Sequence, residues 1–147
     1  MFKFSLQSVL NHRLDREEEC QNDYKQAQRA YLEECEKTRE LQDKIYSLNE
    51  HITKNVKVEI FQLQQLNVYK EQLRKQLEKQ ELAKAKSQQQ VKSVQKQLLQ
   101  AMTDVQVIDT LKQKQYEVYL QEELAVENRL LDELACINYG RLAKGRI

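Results

Sequence analysis

The chain has 147 residues, no Pro and no Trp, and its two glycines are Gly140 and Gly145. An all-β fold needs Gly, Asn-Gly or Pro turns at short intervals, and Rossmann and P-loop nucleotide sites need glycines after a strand, so all three are excluded. Charged residues make up 32% of the chain, but the net charge of +1 argues against a general nucleic-acid binder. The composition is typical of coiled coils and predicts an all-α fold.

The cysteines and the first residues favour a cytoplasmic protein. Cys20, Cys35 and Cys136 form no CxxC pair and no even set, so we interpret them as reduced thiols. Residues 1–5 lack the apolar segment of a signal peptide. No uncharged apolar stretch approaches the roughly 18 residues that a membrane span requires.

The first predicted helix begins near Ser5, which suits an N-cap, and Phe4 and Val9 are placed for a hydrophobic staple. From there the spacing of seam residues alternates between four and three to about residue 52, as in a coiled coil. The predicted seam positions are Leu6, Leu10, Arg13, Glu17, Cys20, Tyr24, Ala27, Tyr31, Glu34, Thr38, Leu41, Ile45, Leu48 and Ile52.

A turn is predicted over residues 53–59, where β-branched residues and Asn55 weaken the helix and the pattern resumes in a different phase. Helix one would then cover about residues 5–52 and helix two about residues 59–139. With a turn centred near Val56, residue x would lie opposite residue 112 minus x.

The second helix repeats the seam pattern, with a weaker Gln-rich section over residues 80–90 where Lys84 and Ser87 take core-type positions. Gly140 is predicted to end this helix, and residues 140–147 would form a basic tail that suits the negative end of the helix dipole. The apolar seam positions are Leu63, Leu66, Leu73, Leu77, Val91, Val94, Leu98, Ala101, Val105, Ile108, Tyr119 and Val126.

Charge distribution also favours an antiparallel hairpin within one chain. Residues 12–52 carry 7 basic and 11 acidic side chains, whereas residues 60–100 carry 8 basic and 3 acidic ones. Pairing these segments brings opposite charges together, while a parallel dimer would bring like charges together. The predicted fold is therefore a long antiparallel two-helix coiled-coil hairpin that forms a single domain.

The second helix is longer than the first, so about 30 residues should project beyond the paired region. This projecting part carries an apolar stripe, which predicts a partner outside the chain, although residues 1–5 or a second copy are alternatives. The stripe consists of Tyr116, Tyr119, Leu120, Leu124, Leu130, Leu131, Leu134 and Ile137.

No catalytic or metal-binding constellation is recognisable. His12 and His51 lie far apart, without Cys, Asp or Glu at ligand spacing. A two-helix rod also offers no enclosed pocket in which a nucleophile or a general base would be tuned. We therefore predict no enzymatic activity, no cofactor, no metal and no small-molecule substrate.

Three motifs spread along the chain form a more specific combination than any one of them alone. The motifs are Phe2-x-Phe4-x-Leu6-x-x-Val9-Leu10-x-x-Arg13, Leu66-x-x-Tyr69-x-x-x-Leu73 and Glu127-x-x-x-Leu131-Asp132-Glu133-x-Ala135-x-x-x-Tyr139. Together they resemble the FliJ family, the small coiled-coil component of the flagellar type III export apparatus, over nearly the whole chain.

The resemblance implies a function that the periodicity does not show. FliJ-like proteins are hairpins similar to the stalk of the rotary ATP synthase gamma subunit, and they insert their open end into the central hole of the hexameric export ATPase, FliI. They also contact the export gate, FlhA, and some bind export chaperones. The implied roles are flagellum biogenesis, type III secretion, protein transport and chemotaxis, by a chain that is monomeric when free. It would be cytoplasmic and peripherally bound to the cytoplasmic face of the membrane.

By this resemblance, the open end of the hairpin would bind the ATPase ring. The residues expected to bind are Leu6, Leu10, Arg13, Leu120, Leu124, Arg129, Leu131, Asp132, Glu133 and Leu134. Three alternatives stay open: the stalk of a virulence injectisome, a structural tether that dimerises through the projecting helix, and a prefoldin-type chaperone. The chaperone would need β-strands near the turn, where only residues 56–60 alternate.

Overall fold

The computed structural model describes residues 1–54 and 59–145 and consists of two α-helices, α1 at Gln7–Lys54 and α2 at Ile60–Lys144. The two helices pack against each other, and the residues described include no strand. This architecture confirms the predicted all-α helical hairpin. Most of the predicted turn, residues 55–58, lies outside the described residues. Neither helix, as far as it is described, contains an apolar stretch long enough to cross a membrane.

Helix α1 begins one residue later than its cap motif suggested. The amide of Gln7 donates to the carbonyl of Phe4 at 3.2 Å, which forms a turn before the helix. The amide of Leu10 donates to the carbonyl of Leu6 at 3.0 Å. This is the first four-residue helical bond, so Leu6 occupies the N-cap position and the assignment to Ser5 was wrong.

The hydrophobic contact at this helix start also differs from the predicted staple. Val9 is exposed, whereas Phe4 is buried together with Leu10 and Ile108. A cap one residue later moves Leu10 into the position that the staple geometry requires, and Val9 then points to solvent. The predicted pairing of Phe4 with Val9 was therefore wrong, although Phe4 does anchor the entry into the helix.

The seam of α1 is confirmed at every predicted position from Leu6 to Ile52, since each is buried or half-buried. The polar seam positions are buried or half-buried in the same way as the apolar ones. Thr38 is the most buried of them, at 3% exposure. Its hydroxyl donates to the carbonyl of Glu34 at 2.8 Å, so the helix itself satisfies this polar group.

The seam of α2 is confirmed between Leu66 and Tyr119, and Lys84 and Ser87 are half-buried at the core-type positions predicted for them. Two predicted seam residues were wrong, because Leu63 and Val126 are exposed. Leu63 lies in the first turn of α2, where all of residues 59–65 are exposed. Val126 lies beyond the residues that the rest of the chain covers.

The chain divides into two compact units, Met1–Asp15 with Met102–Ile147, and Arg16–Ala101. Each unit contains packed segments of both helices. In the larger unit, Gln80 Nε2 donates to the carbonyl of Glu34 at 3.2 Å and also to the carboxylate of Glu34. This polar contact lies in the half-buried seam, within the Gln-rich section that was expected to be weak.

The pairing register is shifted relative to the prediction. Glu34 contacts Gln80, where the rule of 112 minus x required residue 78. In the smaller unit, Phe2 contacts Tyr116, where the rule required residue 110. The first shift arises because α1 extends to Lys54, which moves the centre of the turn. The second shift is larger, and it already arises within the helices, since Arg13 contacts Asp104, where the rule required residue 99.

Helix α2 continues past Gly140 to Lys144, so Gly140 is not its terminator and the predicted basic tail is largely helical. The amide of Gly145 donates to the carbonyl of Arg141 at 2.9 Å and completes the last turn. No glycine among the described residues has a positive φ. Arg141 and Lys144 still lie at the negative end of the helix dipole, as expected.

Candidate partner-binding surface

The candidate site is the part of α2 from Leu120 to Lys144, which we call the overhang. Every residue from Leu120 to Gly145 is exposed. The exposure includes large apolar side chains that would be costly to leave in water. These are Leu120, Leu124, Val126, Leu130, Leu131, Leu134, Ile137, Tyr139 and Leu142.

An aromatic clasp, formed by Phe2, Tyr116 and Tyr119, marks where the paired region ends. The ring centroid of Phe2 lies 5.3 Å from that of Tyr116, with the planes at 66°, and 5.5 Å from that of Tyr119. Such tilted and edge-on arrangements are favourable for aromatic pairs. The first residues of the chain therefore cover Tyr116 and Tyr119, as one alternative expected, but leave the overhang uncovered.

The three predicted binding residues of α1 make contacts within the chain. Leu10 is buried beside Ile108, and Leu6 packs against the same cluster. The guanidinium of Arg13 donates from Nη1 to the carbonyl of Asp104 at 2.9 Å. These contacts hold the start of α1 against α2, and a role of the three residues in partner binding stays a prediction.

Lys112 adds a polar contact beside the clasp that the sequence did not indicate. Its ammonium donates to Gln7 Oε1 at 2.8 Å and lies 6.0 Å from the ring centroid of Phe4. A cation at this distance from an aromatic face is attracted by the ring. The alternation of Phe2 and Phe4 ahead of the first helix was the sequence signal that could have indicated packing of this segment against α2. Such alternation is typical of a short extended segment with one apolar face.

The apolar face of the overhang does not continue the hairpin seam. The seam frame that includes Ile108 and Tyr119 would continue through Glu122, Val126, Arg129, Glu133 and Cys136, of which three are charged. Four leucines, from Leu120 to Leu134, instead follow a separate alternation of four and three that begins at Leu120. A second helix in the position of α1 would thus meet a mostly polar surface, and these exposed leucines fit a partner that approaches from another side.

Charges in the overhang are separated along its length. The acidic residues come first, with Arg129 among them, and the basic residues Arg141 and Lys144 lie in the last turn. The hydroxyl of Tyr119 donates to Glu123 Oε1, and this hydrogen bond raises the pKa of Tyr119, because the neutral phenol is the donor. The acidic residues are Glu122, Glu123, Glu127, Asp132 and Glu133.

The thiols of Cys20, Cys35 and Cys136 are free, and Cys20 is buried in the seam as predicted. Cys136 is exposed in the overhang. Across residues 1–54 and 59–145, no group of three or more His, Cys, Asp or Glu is arranged to hold a metal ion. The overhang thus presents mainly apolar and charged side chains to solvent.

The fold and this surface define an α-helical hairpin protein with one projecting helix. The sequence matches the family described as flagellar FliJ protein over residues 2–144, and the chain belongs to the FliJ family. Membership of this family implies a component of the flagellar export apparatus. Comparisons with curated proteins and with solved structures give no match.

Proposed function

We propose that the chain is a non-enzymatic stalk that binds the hexameric export ATPase of the flagellar export apparatus and couples it to the export gate. The observation that supports this proposal is the overhang, in which every residue from Leu120 to Gly145 is exposed. An apolar stripe that a helix exposes to solvent is more typical of a partner-binding surface than of a surface that stays in water.

The composition of the overhang suits a single helix inside a ring of six subunits. One helix cannot match six identical subunits at once, so its contacts must be few, partly apolar and individually weak. Leu124 and Leu131 would supply apolar contacts, since both are exposed. Arg129, Asp132 and Glu133 would steer the encounter, because charges at the rim of an interface act mainly on the association rate.

A second exposed apolar set, in the unit Arg16–Ala101, supports a separate contact with the export gate. Phe61, Val68 and Tyr69 lie near the start of α2 and are all exposed. Two partners require two surfaces, and these side chains are distinct from those of the overhang. Association with a membrane-embedded gate would place the chain at the cytoplasmic face of the membrane. Substitution of Phe61 and Val68 by Asp should then weaken gate binding and leave stimulation of the ATPase intact.

The main test replaces Leu124 and Leu131 together by Asp. Both side chains are more than half exposed, so the substitutions remove no buried contact and the circular dichroism of the helices should be unchanged. Stimulation of ATP hydrolysis by the ring should be lost, because charged side chains would replace the apolar contacts. The measurement is the rate of ATP hydrolysis by the purified ATPase with and without the protein.

A matched control replaces Leu32 and Leu82 by Asp. These leucines are 60% and 69% exposed, comparable with 57% and 63% for Leu124 and Leu131, but they lie outside the overhang. The control variant should stimulate the ATPase normally. Equal loss in both variants would point to a general effect of added charge, and normal stimulation by the overhang variant would exclude the overhang as the ring contact.

A further inference from the structure

We propose that the overhang also pairs, in antiparallel orientation, with the overhang of a second copy of this chain, and so forms a reversible homodimer. The pairing requires neither the ATPase nor the gate, so it stands independently of the function proposed above. Its basis is the seam-like pattern of the overhang together with the opposite charges at its two ends.

The pattern consists of positions that alternate by four and three along the overhang, which is the spacing of a coiled-coil seam. Its leucines are exposed, and it lies outside the frame of the hairpin seam, so α1 does not use it. A helix with this pattern buries its stripe most simply against another helix with the same pattern. The positions are Leu120, Leu124, Glu127, Leu131, Leu134, Asn138 and Arg141.

In one antiparallel register, the side chains of the stripe face chemically compatible side chains of the second copy. It places Leu131 opposite Leu134 of the second copy, so that the leucines form the centre of the interface around the two-fold axis. In the same register Glu127 lies opposite Asn138 of the second copy, where the amide of Asn138 can donate to the carboxylate. Glu127 and Asn138 thus meet each other, whereas Arg141, the third polar side chain of the stripe, lies opposite Leu124 of the second copy and can pack its aliphatic part on that leucine.

The flanks of the stripe support the same register. Leu130 lies beside Ile137 of the second copy, and Glu123 lies beside Lys144, with Arg141 one turn away. Because the axis is two-fold, these ion pairs form at both ends of the interface. A parallel, in-register pairing would instead set each stripe position opposite the same position of the other copy, so Glu127 would meet Glu127 and Arg141 would meet Arg141, which is unfavourable. Charge therefore selects the antiparallel orientation.

The dimer would cover Leu124 and Leu131, the side chains that we assign to the ATPase ring. A second copy and the ring would thus compete for the same surface. The free chain would be monomeric at low concentration, as the sequence predicts, and would associate as the concentration rises. The exposed stripe would be protected from non-specific aggregation in the absence of the ring.

The test is sedimentation equilibrium of the full chain from about 1 µM to about 1 mM, a range that covers weak to moderate dissociation constants. Glu123→Lys makes both ends of the interface basic, and Arg141→Glu with Lys144→Glu makes both ends acidic. Each variant alone should dimerise at least tenfold more weakly than the wild type, because attraction becomes repulsion at both ends. An equimolar mixture of the two should form a heterodimer, since every charge then faces its opposite.

A matched control is Glu122→Lys, the same substitution one residue earlier, at a position that points away from the stripe. It should leave the dissociation constant within about twofold of the wild-type value. The acidic variant leaves the hydrogen bond between Tyr119 and Glu123 in place, so a loss shared by both variants is not caused by that bond. Circular dichroism verifies that all variants remain helical.

A wild-type chain that stays monomeric over the whole concentration range would overturn the proposal. A dimer that weakens equally with Glu122→Lys and Glu123→Lys, or a mixture that fails to form the heterodimer, would overturn the antiparallel register. No ATPase is present in these measurements. Absence of dimerisation would therefore not affect the proposed stalk function, which the ATPase assay tests separately. A negative result in the ATPase assay would likewise not affect the proposed dimer.

Discussion

Residues 66–112 and the overhang belong to one helix and differ mainly in where their apolar side chains lie. In the first region the buried residues follow a single heptad frame, and Val94 is only 6% exposed. In the overhang most apolar residues leave that frame, and Leu131 is 63% exposed. The comparison teaches that helix formation and helix pairing are specified separately, since a regular helix continues here after its partner has ended.

The helical structure of the two regions is stabilised by different contributions, namely burial in the first and helix propensity in the second. The paired region gains stability from burial of its seam against α1, which is the usual source of helix stability in proteins. The overhang has no such contact in the monomer and depends on residues with high helix propensity, chiefly Leu, Glu, Ala and Arg. Its helix should therefore be the less stable of the two, and substitutions should affect the regions unequally.

The largest expected difference comes from truncation of one leucine in each region. Leu73→Ala removes a side chain that is 4% exposed and should lower the free energy of unfolding by about 2–5 kcal/mol. Leu131→Ala should change it by about 0.5 kcal/mol or less, because the side chain is already in water. Urea unfolding followed by circular dichroism compares the two, at a concentration where the chain is monomeric. Equal losses of unfolding free energy in the two variants would mean that the overhang is part of the buried core.

Amide hydrogen exchange should show a smaller but more local contrast. The amides of the overhang should exchange about as fast as those of a fraying helix, whereas those near Leu73 and Val94 should be protected up to the global free energy of unfolding. The measurement is mass-spectrometric exchange of the dilute chain. Protection of the overhang that grows with protein concentration would indicate self-association, and protection that is uniform along α2 would contradict the comparison.

The aromatic clasp lies at the border between the paired region and the overhang. Its removal measures how much the end of the paired region contributes to stability. Phe2→Ala removes both ring contacts and should lower the free energy of unfolding by about 1–3 kcal/mol, since each of the two aromatic pairs contributes about 0.5–1.5 kcal/mol. A decrease of the melting temperature by several degrees would agree with this value. Phe61→Ala is a matched control, because Phe61 is exposed and forms no seam contact.

The smallest expected effect is a pH dependence at Tyr119. Its hydrogen bond to Glu123 raises the pKa of Tyr119 in the folded chain, so the contribution to stability is complete below the unfolded pKa near 10. This contribution is lost as the pH rises through the higher folded value. The hydrogen bond with Cys35 raises the pKa of Tyr31 as well, so ultraviolet absorbance titration should show two late phenolate transitions. The transition that belongs to Tyr119 should move to lower pH in Glu123→Ala. A titration unchanged by this substitution would mean that the bond does not persist in solution.

The sequence was sufficient to predict the hairpin and the seam of α1, because a period of seven residues reports directly which face of a helix is buried. It also located the projecting helix, since apolar residues continued where no partner remained. The family match agrees with the resemblance carried by the three motifs.

Other features could not be predicted because they depend on geometry outside the helical period. The register depends on the residues of the turn, and a shift of two residues at Glu34 changes no hydrophobic pattern. The clasp joins Phe2 to Tyr116 across nearly the whole chain, and no local signal specifies such a contact. The helix end at Lys144 was missed because Gly140 resembled a stop signal, yet Gly140 does not have a positive φ, and a Cβ at this position would meet no atom within 4 Å, so neither feature requires a glycine there.

The clasp also has a consequence for the order of folding. Its members are separated by more than one hundred residues, so closing that contact first would carry a large loop-closure entropy. The hairpin should therefore close progressively from its turn, and the clasp should form last, after the transition state. Removing Phe2 should then leave the folding rate nearly unchanged and accelerate unfolding. The segment around Phe2 would thus be the last to fold, and it would govern the lifetime of the folded chain.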